Sequence, residues 1–184
     1  MPGPTFVAFL DLLRTKGDSN FVGAALVTDM FGVPAEFRCT HPVKPTEIQK
    51  QLYGSTLDRY IGVELCGKPL LKSLQNAPAL VFVRAELLLP IRDSQSPPVL
   101  FVRRAGDVLR IEHKPEDKPS EKKFDSGSNS IASVVLKCDP NFPEDLETSG
   151  EVLGELLRNL DPVEPFDRIG RAIDALTKQD SRFQ

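Results

Sequence analysis

The chain has 184 residues, of which 40% are hydrophobic and 27% charged, the usual proportions of a soluble globular domain. A chain of this length buries a core large enough to fold without disulfide or metal support. Its formal net charge of -3, made of mixed signs, excludes a general electrostatic attraction to nucleic acid.

The first apolar segment, TFVAFLDLLRT from Thr5 to Thr15, has two interpretations. As a strand it is apolar on both faces and holds Asp11 in the interior, where an unpaired charge is costly and indicates a partner such as a metal. As a helix it gathers its large apolar residues on one side, with Asp11 beside them and in need of no function. Both interpretations stay open at this point.

The next two segments predict an antiparallel hairpin. Residues Asn20 to Asp29, NFVGAALVTD, are apolar or small on both faces, which is typical of a central strand. Gly32 and Pro34 mark a turn, and VPAEFRCTHPV then alternates between the two faces as a second strand does.

Two helical segments follow. Thr46 and Glu47 predict the N-terminus of a short helix that ends at Gly54. The stretch LDRYIGVELCGKPLLKSLQN is also helical in pattern, but Pro69 lies inside it. Because a proline inside a helix costs about 3 kcal/mol, we expect a break near Lys68 and a new helical turn that begins at Pro69.

The middle of the chain predicts more strands and one loop. The run PALVFVRAELLLPI is long enough for a buried strand, and SPPVLFVRRAGDVLRIEHK predicts two strands around a turn at 105–107. The segment from His113 to Ser130 is charged and rich in Pro, Ser and Gly, so it predicts a flexible solvated loop.

The C-terminal third predicts a strand, SIASVVLKCD, and two amphipathic helices, SGEVLGELLRNL and EPFDRIGRAIDALTK. The fold class is therefore mixed α/β, with a mixed sheet, an N-terminal antiparallel hairpin and helices packed on the sheet. We expect a single domain over 1–184, with a sheet-rich core at 1–112, the charged loop at 113–130, and a strand plus two helices at 131–184.

With a strand at Thr5–Thr15, the first half resembles the ribonuclease H-like fold, in which three antiparallel strands precede a helix and a parallel strand. Within that group, YIGVELCGKPLLKSLQNAPALVFVR, from Tyr60 to Arg84, resembles the corresponding helix and strand of endonuclease V. The resemblance implies metal-binding carboxylates on the first strand, on the helix and after the next strand.

Carried to this sequence, the resemblance assigns Asp11 to the first strand and, after a small shift in register, Glu64 to the helix. The family has an aspartate directly after its fourth strand, whereas this chain has Arg84 there and Glu86 two residues later. Two-metal phosphodiester cleavage needs several converging carboxylates. The incomplete set implies a fold that has lost catalysis or has a different function.

Two other candidate sites have ordinary alternatives. Cys39 and His41 share a face of the second hairpin strand, but no further Cys or His pair completes a zinc site, which favours core packing. The middle strands carry four arginines whose guanidinium groups suit phosphate or carboxylate ligands. They are Arg84, Arg92, Arg103 and Arg104. Charged strand edges that protect the sheet from aggregation are the alternative interpretation.

The cell compartment follows from three observations. The sequence begins without a secretory signal pattern, no apolar run approaches the roughly 20 residues that span a bilayer, and the three cysteines form no disulfide framework. We expect a cytoplasmic protein that does not enter a membrane.

Without a complete catalytic set, the sequence favours a non-catalytic binding or adaptor module that binds a protein partner through its C-terminal helices, as a subunit of a larger assembly and without a cofactor. The first alternative is a ribonuclease H-like nuclease that holds Mg²⁺ or Mn²⁺ with Asp11, Glu64 and Glu86. The second is an anion- or nucleic-acid-binding protein that uses the four arginines.

Overall fold

The computed structural model describes residues 5–15, 19–93, 96–106, 120–124 and 133–183. In chain order its strands are β1 (Val7–Thr15), β2 (Asn20–Thr28), β3 (Pro34–Cys39), β4 (Leu80–Val83), β5 (Val99–Arg104), β6 (Glu121–Phe124) and β7 (Val134–Cys138). Its α-helices are α1 (Glu47–Tyr53), α2 (Leu57–Tyr60), α3 (Lys68–Ser73), α4 (Asp145–Thr148), α5 (Gly150–Asn159) and α6 (Glu164–Gln179). Shorter helical turns cover Gly54–Thr56, Ile61–Gly67, Glu86–Ile91 and Ser181–Phe183. No helix among these residues is long and apolar enough to cross a membrane.

The seven strands form one mixed sheet in the order β3-β2-β1-β4-β5-β7-β6. β1, β2 and β3 are antiparallel neighbours, whereas β4 and β5 run parallel to β1. β7 and β6 then extend the far edge in antiparallel pairs. The mixed α/β prediction is confirmed, and both halves of the chain contribute strands to the sheet.

Thr5–Thr15 contains a strand, so the strand interpretation is correct. β1 pairs with β2 over nine residues, from Val7↔Thr28 to Thr15↔Asn20, and with β4 from Val7↔Leu80 to Leu10↔Val83. Apolar residues on both faces are the mark of a strand that has neighbours on both edges and helices on both sides. The antiparallel hairpin of β2 and β3 is confirmed as well.

Each face of the sheet has its own hydrophobic core. On the face toward α5 and α6, Phe9 stacks on Phe82 at a centroid distance of 5.4 Å and meets Phe166 of α6 edge-on at 5.7 Å. On the opposite face, Leu10 and Val83 pack against the helical stretch between α2 and the Glu86–Ile91 turn. Alternation along β1 therefore sends odd-numbered side chains to α6 and even-numbered ones to the other layer.

The first predicted helix is α1. The Thr46 hydroxyl accepts a hydrogen bond from the Gln49 backbone N–H at 3.2 Å, and the Gln49 side chain accepts one from the Thr46 N–H at 2.8 Å. This reciprocal capping box fixes the helix start. Gly54 ends the helix with φ of 49°, a conformation that favours glycine.

The break expected near Lys68 is wrong in form. The chain stays helical through Lys68, and the Lys68 N–H donates to the carbonyl of Val63, five residues earlier. This wider π-helical turn carries the chain from α2 into α3, where Pro69 lies in the first turn. Pro69 has no N–H to donate, and the helical stretch continues through it beside the wider turn.

Two further expectations need correction. The run PALVFVRAELLLPI is a strand only over Leu80–Val83 and then forms the helical turn Glu86–Ile91, because Pro90 has no N–H for a sheet ladder. Within the segment predicted as a flexible loop, Glu121–Phe124 is the edge strand β6, whose exposed charges suit a sheet edge. The rest of that loop and the strand predicted after 105–107 lie outside the described residues. The C-terminal strand and both amphipathic helices are confirmed as β7, α5 and α6.

Gly23 is required by the close approach of β2 to the π-helical turn. A Cβ at this position would lie 2.5 Å from the Cβ of Cys66, an atom that cannot move without its backbone. We predict that Gly23→Ala lowers the free energy of unfolding by about 1–3 kcal/mol, as overpacking does. Gly154→Ala is the matched control, because Gly154 has open space in α5 and alanine favours a helix by about 0.5–1 kcal/mol. Equal effects of the two substitutions in urea denaturation would contradict this packing.

Glu36 on β3 ties the sheet edge to the end of α3. Its carboxylate accepts hydrogen bonds from Arg38 at 2.7 Å and from the backbone N–H groups of Gln75 and Asn76 at 3.0 Å. The Arg38 hydrogen bond and these N–H groups hold the pKa of Glu36 at about 2. A carboxylate with a lowered pKa stabilises the fold above its unfolded pKa, near 4.3, and loses that effect as the pH falls towards 2.

We therefore predict that Glu36→Gln lowers the free energy of unfolding by about 1–2 kcal/mol at neutral pH. The loss should shrink as the pH falls from about 5 towards 2, which chemical denaturation across that range measures. Glu47→Gln is the control, because Glu47 is an exposed carboxylate that pairs with Lys50 three residues along α1. A loss that does not depend on pH would contradict the role of the Glu36 charge.

Candidate active site

A cleft opens where β4 ends and its parallel pairing with β1 stops. Leu10 and Val83 form the last residue pair of these strands, so the next residues, Asp11 and Arg84, lie side by side. Both follow residues that point to the opposite layer, and therefore both face α6. The carboxyl ends of parallel strands are the place where α/β sheets bind their ligands.

Asp11 is the carboxylate that the sheet itself holds in this cleft. It is half-buried, and its Oδ1 accepts a hydrogen bond from the Leu12 N–H at 2.9 Å. Burial raises the pKa of Asp11, while that N–H and the nearby Arg84 charge act in the opposite direction. A cation or a proton in the cleft would relieve the cost of this buried charge.

Helix α6 forms the other wall of the cleft. Its buried residues Phe166, Ile169 and Ile173 anchor it to the sheet. Four charged residues at positions i, i+3, i+7 and i+10 share the adjacent face of the helix. They are Glu164, Asp167, Arg171 and Asp174. Together with Asp11, Leu13, Arg84, Phe166 and Gly170 they line a cleft of about 650 Å³.

The α6 carboxylates differ in their partners. Asp167 accepts a hydrogen bond from Arg84 at 3.3 Å, and Glu164 pairs with Arg168 at 2.7 Å. Over the ranges that the structure describes, Asp174 has no ion-pair partner. The cleft therefore presents one half-buried carboxylate, Asp11, and one exposed carboxylate, Asp174, that are not neutralised by an ion pair within the described residues.

Glu64 and Glu86 do not join Asp11. Glu64 lies on the π-helical turn, which covers the face of the sheet opposite α6, and pairs with Lys68 at 2.7 Å. Glu86 pairs with Lys137 of β7 at 2.8 Å, also on that opposite face. The structure therefore does not assemble the acid set that the resemblance implied, because positions matched along a sequence say nothing about which face each side chain takes.

The four predicted arginines do not form one surface either. Arg84 and Arg104 face the α6 layer, where Arg104 pairs with Asp161 at 2.9 Å. Arg103 points to the other face and pairs with Glu121 at 3.6 Å. Arg92 makes a two-pronged contact with the buried Asp145, at 2.8 and 3.2 Å. Arg84 alone among the four lines the cleft.

Cys39 and His41 show no metal-site geometry. Cys39 packs against the core beneath α6, burial raises the pKa of its thiol, and the His41 ring lies against Phe183 at 6.4 Å. Among the residues that the structure describes, no three Asp, Glu, His or Cys side chains are grouped as a metal site. A preformed cage of three or more protein ligands is therefore absent from this part of the chain.

Comparison with known proteins identifies the fold. The sequence matches no protein-family model and no curated protein. Endonuclease V from Bacillus subtilis shares the fold at 13% identity over 96% of this chain and 83% of that one, with a TM-score of 0.58. Endonuclease V from Ciona intestinalis, solved with a DNA that contains an inosine followed by a ribo-adenosine, matches at 13% identity over 96% and 88%, with a TM-score of 0.50. The chain thus shares its fold with endonuclease V, and the predicted resemblance in fold is confirmed.

The expectation of a non-catalytic adaptor is wrong. The two solved structures named above, which share this fold over 96% of the chain, are endonucleases, and one of them holds DNA. These comparisons give no support to the protein partner expected with that function. Of the two alternatives, they favour the first, which rests on this fold.

The charged face of α6 is a functional feature that the sequence does not predict, because the pattern of the helix indicates only that it is amphipathic. The pattern that could have revealed it is the stripe of charged residues, Glu164, Asp167, Arg171 and Asp174, next to the apolar stripe of α6. That stripe becomes a candidate site only once α6 is known to cross the end of β1, a contact between residues more than 150 positions apart.

Asp11 should reduce stability at neutral pH. Its pKa is raised in the folded protein, so the folded state binds a proton more readily than the unfolded chain does, and stability falls as the pH rises through that range. We predict that Asp11→Asn raises the free energy of unfolding by about 0.5–2 kcal/mol at pH 7, as substitutions at strained active sites do.

The exposed Asp174 on α6 provides the control, because Asp174→Asn should leave the free energy of unfolding within about 0.5 kcal/mol of the wild type. Chemical denaturation at pH 7 measures both variants. A destabilised Asp11→Asn would show that the charge of Asp11 stabilises the fold.

Proposed function

We propose that this protein is a divalent-metal-dependent nuclease whose active site is the cleft between β1 and α6. The observation that carries the proposal is the half-buried Asp11 carboxylate, which faces an open cleft with further carboxylates on α6. The endonuclease V-like fold supports the same function class. The reaction proposed is hydrolysis of a phosphodiester in DNA or RNA.

The carboxylates of the cleft fit Mg²⁺ or Mn²⁺ if the protein supplies only one or two of the ligands of the ion. Mg²⁺ is commonly bound by one or two carboxylates, with substrate phosphates and waters as the other ligands. Asp11 and Asp174 are the carboxylates of the cleft that lack an ion-pair partner within the described residues, and they would hold the ion. A bound ion of this kind stabilises the negative charge that develops on the phosphate oxygens.

Asp11 and Asp174 differ in their freedom to move and in their access to solvent. Asp11 is held by the strand and by the Leu12 N–H, so its carboxylate has little freedom to move. Asp174 lines the cleft and is exposed on α6, so this side of the cleft is accessible to a polymer such as a nucleic acid. Inosine-containing DNA is the first substrate to test, because the Ciona structure holds such a DNA.

We predict that the protein cleaves a labelled oligonucleotide in Mg²⁺ or Mn²⁺ and that Asp11→Asn lowers the rate by about 100-fold or more. Asp174→Asn should lower the rate as well. Glu64→Gln is the matched control and should keep the wild-type rate, because Glu64 lies on the other face of the sheet. Gel analysis of the products measures all three variants.

Calorimetric titration with Mn²⁺ gives a second readout. Wild type and Glu64→Gln should bind Mn²⁺ saturably, whereas Asp11→Asn should lose this binding. If Glu64→Gln abolishes cleavage and Asp11→Asn does not, the cleft is the wrong site. If the wild type cleaves neither DNA nor RNA in either metal, the protein is not a nuclease of this kind.

A further inference from the structure

Arg84 occupies the position, directly after β4, where the resemblance to endonuclease V expects an aspartate. We infer that Arg84 is the phosphate-binding residue of the cleft, and that Asp167 competes with the nucleic acid phosphate for its guanidinium group. The inference rests on the proposed function for the nature of the ligand, a phosphodiester. It assigns Asp167 a role different from that of Asp11 and Asp174.

The placement of Arg84 is set by the fold. The side chain leaves the sheet beside Asp11 and turns toward α6, where its guanidinium carbon lies 5.9 Å from the centre of the Phe166 ring. Phe166 is buried and fixed by its edge-on contact with Phe9. The guanidinium group therefore lies over a fixed ring in the cleft, next to the carboxylate proposed to hold the cation.

The Arg84–Asp167 ion pair is suited to exchange. One N–H···O contact of 3.3 Å joins the two groups, and their side chains are 47% and 57% exposed. An exposed pair of this kind is weak and screened by salt. A guanidinium group carries five N–H donors, and a phosphate can accept two of them side by side, which a single long contact to Asp167 does not do.

The net charge of the cleft explains why this exchange would help a phosphodiester to bind. Four carboxyl groups and two guanidinium groups line it, so a phosphodiester meets net negative charge. When Arg84 moves from Asp167 to the phosphate, the sheet side of the cleft provides a positive charge for the ligand. Arg171, one turn beyond Asp167 on the same face of α6, is the second cation at this surface.

Binding of a fluorescent mixed-sequence oligonucleotide in the presence of EDTA tests this inference, because it requires neither a metal ion nor cleavage. Fluorescence anisotropy gives the affinity over a series of salt concentrations. We expect Arg84→Ala to weaken binding by about tenfold and to reduce the slope of log K against log salt concentration by about one.

The role of Asp167 needs a double-mutant cycle. Asp167→Asn should tighten binding by about threefold, as expected for the loss of a competing exposed ion pair, and should have no effect in the Arg84→Ala background. Glu155→Gln on α5 changes the net charge by the same amount outside the cleft and should tighten binding less. The cycle thus separates competition for Arg84 from a general change in charge.

An unchanged affinity in Arg84→Ala, or an equal gain from Asp167→Asn with and without Arg84, would overturn the inference. Cleavage by the wild type together with normal binding by Arg84→Ala would leave the nuclease proposal in place and remove Arg84 from it. Binding that depends on Arg84 in a protein that never cleaves would support the inference and overturn the nuclease proposal.

Discussion

The parallel pairing of β1 with β4 is the constraint on which the cleft depends. Side chains alternate between the two faces of a strand, so a shift of one residue would move Asp11 to the face opposite α6 and would bring Leu10 into the cleft. The stack of Phe9 on Phe82, closed by Phe166 from α6, opposes such a shift, because all three rings are buried only in the observed register. Core packing and site geometry thus have the same origin.

The same constraint explains why a charged cleft lies directly beside the apolar core under α6. Helix α6 buries one stripe against the aromatic stack, and its neighbouring stripe lines the cleft with Asp11 and Arg84, where the pairing of β1 with β4 stops. Asp11 is held there despite the cost of burial, which raises its pKa. A carboxylate kept at a cost to stability is characteristic of a site that binds a ligand.

The sequence predicts those parts of the fold whose cause is local. The turn at Gly32, the helix start at Thr46 and the periodicity of α6 each depend on a few neighbouring residues. The edge strand β6 depends on pairing with β7, and its charged sequence gives no sign of it. Asp11 stood out because its apolar surroundings were unusual, whereas Asp167 and Asp174 resemble an ordinary solvated helix face until α6 is placed over β1. Glu64 does not reach the cleft, because the helical pattern around it does not determine the layer in which the helix lies.

A crystal of the protein with Mn²⁺ and a short oligonucleotide tests the central claim most directly, because anomalous scattering locates the ion without reference to activity. The account predicts an Mn²⁺ ion in contact with the Asp11 carboxylate and with a phosphate oxygen of the oligonucleotide, inside the cleft between β1 and α6. An ordered oligonucleotide bound elsewhere on the protein, or an Mn²⁺ ion held away from Asp11, would contradict it.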